Sequence, residues 1–214
     1  LLFIRAFIGL VVITPFALSK SWKGLISCNP GLQITRNITH VAAQYCVFFA
    51  IITVPLAEVT SIEYTIPMMT AAMAALMLGE KVKSHRWYGM TASFCGVLLI
   101  IRPGFSEVQA AVWMVVLGAV FFSLNNVMVK KLSMLDSAST MVFNMNAIQV
   151  LLLAIPAYLV WTTPEWSHLP WLLGLGLAGL VTHYCVSRAL AYADTSVLFP
   201  LDSVSYTHLT LPTT

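Results

Sequence analysis

The amino-acid sequence predicts an all-α protein, a polytopic bundle of transmembrane helices. Hydrophobic residues make up 59% of the 214 positions and charged residues only 9%, against roughly 45–50% and 25% in ordinary soluble domains. The few charges fall in short clusters between long apolar runs, most of which approach the roughly 20 residues needed to cross a bilayer. A lipid bilayer is therefore the partner that this composition indicates.

Seven complete spans and the start of an eighth follow from this measure of length. The connections between them hold Pro, Gly and charged residues, which are typical of helix ends and loops. Arg5 and the apolar residues after it resemble a signal peptide, but the later apolar runs favour a membrane span. The predicted spans are 1–18, 34–54, 59–78, 87–101, 110–129, 140–161 and 169–192, and the eighth begins near Ser196.

Basic residues fall in alternate connections, which predicts the orientation of the spans. Cytoplasmic loops retain Lys and Arg, so the first, third and fifth connections are predicted to be cytoplasmic. We expect a multi-pass protein of the bacterial inner membrane. The residues that set this orientation are Lys20, Lys23, Lys81, Lys83, Arg86, Lys130 and Lys131.

A shift of 139 positions superposes part of the chain on itself. Tyr45-Cys46-Val47 then meets Tyr184-Cys185-Val186, Gln44 meets His183 and Glu63 meets Asp202. The span 34–54 is predicted to run outward and 169–192 inward, so the two copies would be inverted. Inverted repeats with a substrate site near the midplane are typical of secondary transporters.

The stretch from Arg36 to Gly104 carries motifs of a known family. They are Pro55-Leu56-Ala57-Glu58, Glu63-Tyr64-Thr65-Ile66-Pro67, Leu78-Gly79-Glu80 and the run from Gly96 to Gly104, with a weaker portion from His183 to Asp202. On these residues the chain resembles the EamA-type permeases of the drug/metabolite transporter superfamily.

The resemblance implies ten helices in two inverted five-helix repeats. Residues 1–104 would form a first repeat without its first helix, and residues 105–204 a truncated second repeat, because about seven complete spans of ten are visible. Ser205 to Thr214 departs from the family pattern and reads as translated sequencing adapter. We therefore expect a fragment with an artefactual tail, 205–214, that packs poorly.

Arg36, His40 and Gln44 recur every four residues, so they share one face of an otherwise apolar helix. Gln44 lies roughly 15 Å beyond Ile34 along the helix axis, near the midplane. For His40 and Gln44, lining of a cavity is weighed against hydrogen bonding between helices. Arg36, close to the cytoplasmic end, is expected to snorkel toward the surface.

Glu63 is the sharper candidate, because an ionised carboxylate in lipid persists mainly in a cavity, an ion pair or a proton relay. The alternative is that Glu63 simply reaches water at the nearby interface. Pro67 removes a helical hydrogen bond and predicts a hinge or kink. In the second repeat, His183 lies near the midplane of the last complete span and is the counterpart of Gln44.

The predicted substrate pathway joins both repeats, and protonation of Glu63 or a histidine is a route to ion coupling. Amides in 110–129 and 140–161 are interpreted as bonds between helices, and the glycines near 174–179 as points of close approach. The pathway residues are His40, Gln44, Glu63, Tyr64, His183, Tyr184 and Asp202.

Other functions find less support in the residues. A seven-helix receptor or retinal protein remains the alternative from another class, although 169–192 has no lysine for retinal. An intramembrane enzyme is disfavoured because the chain has no His-Glu-x-x-His or Gly-x-Ser-x-Gly motif. The basic residues form no stripe suited to nucleic acid. The four cysteines lack metal-ligand spacing and are interpreted as small core residues. No metal or cofactor is expected, and the oligomeric state stays open.

Overall fold

The computed structural model describes residues 1–19, 25–80, 84–101, 110–195 and 197–199. Within these residues the secondary structure is helical, as the composition predicts. Among the described residues, eight α-helices have defined bounds, and a short 3-10 turn lies at Trp166–His168. In chain order the helices are α1 Leu2–Leu18, α2 Pro30–Thr53, α3 Leu56–Glu63, α4 Ile66–Leu78, α5 Ser84–Ile101, α6 Ala110–Ser133, α7 Ala138–Leu159 and α8 Leu169–Leu190.

Each of the seven complete predicted spans coincides with helix, although the number of membrane crossings stays a prediction. By length and composition, four helical segments of the described residues qualify as membrane spans. They are Leu56–Leu78, Ala111–Ser133, Ala138–Leu159 and Trp166–Leu190. Leu2–Leu18 is a shorter apolar helix. The all-α fold class is confirmed.

The predicted span 59–78 contains two helices. The helical assignment stops at Glu63 and resumes at Ile66, with Tyr64 and Thr65 between. Pro67 lies in the first turn of α4, where its missing N–H costs no helical bond. The interruption therefore falls directly before the proline that predicted a kink.

Two helix ends have the capping residues that are typical of helix termini. Gly79 ends α4 with φ +70°, a left-handed conformation that glycine adopts without strain, and the Glu80 N–H donates to the Ala74 carbonyl at 3.4 Å. Ser137 caps α7, because its Oγ accepts the Thr140 N–H at 3.2 Å. Both ends fall where the sequence predicts connections.

The chain divides into two compact units. Unit 1 comprises Leu1–Ile38 and Val129–Tyr192, and unit 2 comprises Thr39–Met128 and Ala193–Thr214. Each unit draws on both predicted repeats, because the units follow spatial contacts and the repeats follow the sequence. The division at 104 into two repeats stays a prediction.

In unit 1, α1 packs against α7 and α8, and α7 also contacts α8. Small residues bring these helices close. A Cβ at Gly9 would lie 2.9 Å from Cγ of Asn146, and one at Gly176 would lie 2.7 Å from Cγ2 of Ile8. The predicted role of the glycines near 174–179 in close approach is confirmed for Gly176.

In unit 2, the core consists of small and β-branched side chains. A Cβ at Gly118 would lie 3.1 Å from Cγ2 of Val47 and 3.2 Å from Cβ of Cys46, so α6 and α2 approach closely there. The helix α3 contacts α5. The core residues are Val47, Ala50, Val54, Val59, Ile62, Ala111, Val112, Val115 and Ala119.

Exposed aromatic side chains flank the connection between α7 and α8. Tyr158, Trp161, Trp166 and Trp171 are all exposed, and the ring of Trp161 meets that of Phe3 edge-on with centroids 6.3 Å apart. Trp and Tyr are enriched at membrane–water interfaces. This end of unit 1 therefore has the aromatic surface that is typical of a membrane–water interface.

Candidate substrate pathway

The predicted polar face of α2 is buried. Arg36, His40 and Gln44 are exposed by only 1%, 3% and 5%, which confirms that the three share an inward face. Two further residues on this face, Gln33 and Asn37, are also buried. The signal for them was available, since both precede His40 and Gln44 at helical spacing.

The prediction that Arg36 snorkels is wrong. Its Nη1 donates to Oε1 of Gln33 at 3.5 Å, and its Nη2 to Sδ of Met145 on α7 at 3.4 Å. The helix α2 begins at Pro30 instead of 34, so Arg36 lies in its second turn, covered by α7. A guanidinium needs paired or polar surroundings when buried, and the neighbouring amides supply part of them.

Asp136, in the connection between α6 and α7, accepts hydrogen bonds from the segment before α2 and from the first turn of α2. It accepts hydrogen bonds from Oγ of Ser27 through Oδ2, from the N–H of Cys28 at 2.8 Å and from Nε2 of Gln33 at 3.5 Å. Gln33 therefore bonds both Asp136 and Arg36. The Asp136 carboxylate raises the pKa of the Cys28 thiol through a hydrogen bond and its negative charge.

A second arginine of unit 1 lies against α8. The side chain of Arg5, on α1, passes Gly179 of α8, where an added Cβ would lie 3.6 Å from Cδ. His183 follows Gly179 by four residues and so shares its helix face. Arg5 of α1 therefore lies near the face of α8 that carries His183.

His183 and Tyr184 are both half-buried. The ring of Tyr184 meets that of Phe16 on α1 edge-on, with centroids 6.2 Å apart. Tyr184 therefore contributes to the contact between α1 and α8. Its predicted role in the substrate pathway stays a prediction.

The amides of α7 differ in what they bond. Nδ2 of Asn144 donates to the Leu25 carbonyl at 2.8 Å, as well as to the Thr140 carbonyl, so it joins two segments as predicted. Nδ2 of Asn146 donates to its own helix at Val142. Gln149 is 1% exposed, and its Nε2 has no hydrogen-bond partner in the part of the chain that the structure describes.

In unit 2, His40 and Gln44 form a pair. Nε2 of His40 lies 3.1 Å from Nε2 of Gln44, so the ring nitrogen accepts from the amide when it carries no proton. The ring of His40 also meets that of Phe122 edge-on at 5.5 Å. Oε1 of Gln44 is a buried acceptor that no described residue satisfies.

Glu63 and Tyr64 stand at the interruption between α3 and α4. Glu63 is half-buried and Tyr64 is 39% exposed. The buried Thr65 closes the break by donating from Oγ1 to the Ile62 carbonyl at 2.6 Å. Movement about Pro67 stays a prediction.

The first turns of α4 bond to α6 through side chains. Oγ of Ser123 donates to the Ile66 carbonyl at 3.3 Å, and Nδ2 of Asn126 donates to Oγ1 of Thr70 at 3.4 Å. Asn126 thus bonds between helices as predicted. These contacts hold α4 on α6 on the C-terminal side of the interruption.

One contact of a lysine and one of a glutamate were not predicted from the sequence. Nζ of Lys130 donates to the Leu190 carbonyl at 2.9 Å, which satisfies an orphan carbonyl at the end of α8. Glu80 accepts from Oγ1 of Thr195 at 2.6 Å. No local pattern marks either pair, because each joins residues far apart in the chain.

Of the predicted pathway residues, His40, Gln44, Glu63 and Tyr64 belong to unit 2, whereas His183 and Tyr184 belong to unit 1. Asp202 lies outside the described residues, as does the tail from Ser205 to Thr214. A common cavity for the two groups stays a prediction.

The two helices matched by the internal repeat bury different positions. Cys46 is buried but its counterpart Cys185 is exposed, and Cys28 and Cys95 are exposed as well. The interpretation of the cysteines as core residues is therefore wrong except for Cys46. The helix α8 contacts mainly α1 and α7, so the faces that it leaves uncovered include Cys185.

Comparison with known proteins supports the prediction of a membrane transporter. The EamA-like transporter family matches residues 1–102. The S-adenosylmethionine uptake transporter of Rickettsia prowazekii is 23% identical over 199 residues, which cover 92% of this chain and 67% of that protein.

Two other relatives have different cargoes. The riboflavin transporter of Vibrio cholerae is 32% identical over 155 residues, 70% of this chain and 50% of that protein. The pseudopaline exporter of Pseudomonas aeruginosa is 26% identical over 207 residues, 92% of this chain and 70% of that protein.

The apolar helices and these relatives define a multi-pass membrane transporter. Within that class, residues 1–102 match the EamA-like transporter family, which confirms the resemblance described from Arg36 to Gly104.

Proposed function

We propose that this chain is part of a secondary transporter that moves a small organic metabolite across a bacterial inner membrane by alternating access. The observation that carries the proposal is the buried polar face of α2. Each polar group left unsatisfied in hydrocarbon costs roughly several kcal/mol. Such a face persists where it meets other polar groups, water or a substrate.

The relatives support an organic metabolite as the cargo. Their names cover S-adenosylmethionine, riboflavin and pseudopaline, and one is named for uptake and another for export. These names also favour transport over catalysis. The family fold fits cargoes of different chemistry, so the direction and the substrate depend on the side chains of this chain.

The moving parts that we propose are the two inverted repeats, 1–104 and 105–204, within a ten-helix protein. The interruption at Tyr64 and Thr65 lies two residues before Pro67. It supports motion within the first repeat, because sharp bends in helices usually occur next to a proline. Ser123 and Asn126 hold α4 on α6, so we propose that the chain bends at the interruption and that α3 repacks against the core that includes Val59 and Ile62.

Transport is tested on the complete gene product in proteoliposomes, with labelled S-adenosylmethionine and riboflavin supplied on either side. The variant Gln44→Leu keeps the volume and removes the buried amide. We expect it to reduce transport about tenfold or more, since lost buried hydrogen bonds cost about 1–3 kcal/mol. Tyr45→Phe, on the exposed side of the same helix, is the matched control. Unchanged transport in Gln44→Leu would remove α2 from the pathway.

Proton coupling through Glu63 is tested separately. Glu63→Gln removes the charge and nearly preserves the shape, so we expect transport to lose its dependence on an imposed pH gradient while membrane insertion is unchanged. Glu165→Gln, at an exposed carboxylate, should behave as wild type. Wild-type transport by Glu63→Gln at every pH would exclude Glu63 from coupling without affecting the transport proposal.

A further inference from the structure

We propose that Asp136, with Ser27, Cys28 and Gln33, forms a latch that closes the cytoplasmic end of the substrate pathway and opens when the start of α2 separates from the connection between α6 and α7. We call these four residues the latch. The inference rests on the proposed function, because it assigns one gate to that transporter.

The latch joins two connections of the chain that the loop charges predict to be cytoplasmic. The carboxylate of Asp136 accepts hydrogen bonds from Oγ of Ser27, from the N–H of Cys28 at 2.8 Å and from Nε2 of Gln33 at 3.5 Å. Sγ of Cys28 also donates to the Leu135 carbonyl at 3.6 Å. Hydrogen bonds to an ionised carboxylate are about twice as strong as neutral ones. One carboxylate therefore holds three groups at the start of α2.

Each side of the latch has its own caps, so the two sides can part without unravelling a helix. Oδ1 of Asn29 accepts the N–H of Leu32 at 3.1 Å, which caps α2 from its own segment. Ser137 caps α7 in the same way, and the N–H of Asp136 donates to the Leu132 carbonyl at 2.8 Å at the end of α6. These local bonds all stay within one connection, and they remain when the latch opens.

The contact is polar and covers little apolar surface. Ile26 is 74% exposed and Leu135 is 51% exposed, so large apolar side chains on both sides lie outside it. Ser27 is buried, whereas Cys28 is exposed and Asp136 is half-buried. Water can replace hydrogen bonds of this kind at a membrane surface, but it cannot replace apolar packing. The contact therefore suits a reversible closure.

Opening of the latch would bring water to a polar stretch of α2. Gln33 and Asn37 lie in its first two turns and are almost fully buried. Oδ1 of Asn37 is a buried acceptor without a hydrogen-bond partner among the described residues, which is unfavourable away from water. Arg36 meets α7 through the sulfur of Met145, a weak acceptor. Water at the start of α2 would satisfy these groups, so the open state recovers part of what the latch loses.

The latch also joins the two predicted repeats. Ser27, Cys28 and Gln33 fall within 1–104, and Asp136 falls within 105–204. Alternating access moves one repeat against the other around a central site, so contacts between repeats at one membrane surface must break in one half of the cycle. The bonds of Asp136 are such contacts, and their loss would open the cytoplasmic side.

The first test measures whether Asp136 keeps the start of α2 closed. Asn37→Cys is placed in the complete gene product without its native cysteines, and a charged thiosulfonate reagent labels the buried thiol in detergent. Asp136→Asn weakens the bonds of the latch, so we expect labelling about tenfold faster or more. Glu165→Gln, at an exposed carboxylate, is the matched control and should leave the labelling rate unchanged.

Native Cys46 distinguishes a local opening from a general loosening of the protein. It lies on α2 against α6, where an added Cβ at Gly118 would lie 3.2 Å from its Cβ. With Cys46 as the only cysteine, Asp136→Asn should leave its labelling rate unchanged. An equal increase at Cys46 and at Asn37→Cys would show that Asp136 only stabilises the fold, and an unchanged rate at Asn37→Cys would show that it does not close α2.

The second test keeps the latch shut during transport and does not depend on the folding of Asn37→Cys. Cys28 and Asp136→Cys, with the other native cysteines replaced, are bridged by a short bifunctional thiosulfonate reagent in proteoliposomes. We expect transport to stop while the bridge is present and to return when a reductant removes it. Asp136→Cys with Cys28→Ser carries one of the two thiols, and the same treatment should leave its transport unchanged.

Transport by the bridged protein at the rate of its reduced form would overturn the inference, because the start of α2 would then stay on the connection between α6 and α7 throughout the cycle. Failure of the proposed function looks different. In that case the unmodified protein transports none of the cargoes, while Asp136→Asn still speeds labelling of Asn37→Cys and leaves Cys46 unchanged.

Discussion

Unit 1 and unit 2 bury different chemistry. Unit 1 buries Arg36, Lys130 and several amides, and its bonds reach Asp136. Unit 2 buries a core of Val, Ala and Ile, and its buried pair of His40 and Gln44 joins side chains that need carry no charge, although Glu80 also accepts from Thr195. Unit 1 should therefore depend on electrostatics and exact helix spacing, and unit 2 on apolar packing.

The largest effect is expected at the contact of α1 with α7. Gly9→Val adds atoms where even a Cβ would lie 2.9 Å from Cγ of Asn146, so the buried Asn146 must move and its bond to the Val142 carbonyl is strained. We expect a loss of about 3 kcal/mol in the free energy of unfolding, measured by SDS titration in mixed micelles. A loss below that of Gly118→Ala would show that spacing in unit 1 is not tight.

The second effect concerns the carboxylate of unit 1. Asp136→Ala removes the acceptor shared by Ser27, Cys28 and Gln33, and we expect a loss of about 2 kcal/mol in the same titration, since bonds to charged groups contribute about 1.5–3 kcal/mol. Glu165→Ala removes an exposed carboxylate of the same unit and should change stability by less than about 0.5 kcal/mol. Equal effects of the two substitutions would contradict a role for the network.

In unit 2 a smaller change is expected. Gly118→Ala places a Cβ 3.1 Å from Val47 and 3.2 Å from Cys46, so neighbours must shift by a few tenths of an ångström. We expect a loss of about 1 kcal/mol from overpacking. Gly174→Ala, with no described atom within 4 Å of its added Cβ, should be neutral or gain up to about 1 kcal/mol from helix propensity. A gain at Gly118 as well would mean that α2 and α6 are loosely packed.

The smallest effect is a change of reactivity without a change of fold. Because Asp136 raises the pKa of the Cys28 thiol, Asp136→Asn should lower that pKa and increase the thiolate fraction at a given pH. The pH profile of maleimide labelling should then shift to lower pH, in a background where Cys46, Cys95 and Cys185 are replaced by Ser. Ser27→Ala keeps the carboxylate, so its labelling profile should stay close to that of the same background with Ser27 unchanged. An unshifted profile in Asp136→Asn would place the carboxylate away from the thiol.

Local patterns predicted several features correctly. The i, i+4 spacing of Arg36, His40 and Gln44 identified the buried face of α2, because helical periodicity alone decides which side chains share a face. Pro67 marked the neighbourhood of the break between α3 and α4, because a proline without an N–H is accommodated in the first turn of a helix. Gly79 marked the end of α4, because glycine readily adopts the left-handed conformation that ends many helices.

The errors arose where a neighbour decides the outcome. Arg36 was expected to reach the surface, but Met145, 109 positions away in the sequence, covers it. The contact of Asp136 with Ser27, also 109 positions away, has no signal in the local sequence. Cys95 and Cys185 lie in apolar runs and are nevertheless exposed, because an apolar residue of a membrane protein can face lipid as well as a core.

The sequence by itself determined that this protein is a helical membrane transporter that resembles the EamA type, since the solvent of a chain follows from its composition and the resemblance from its motifs. Only the tertiary structure decided which polar residues meet. Arg36 and Met145 come from two helices separated by a long stretch of sequence, and periodicity within one helix carries no information about its neighbours. The close approach of α1 to α7 and α8 likewise occurs at Gly9 and Gly176, whose neighbours only the folded chain supplies.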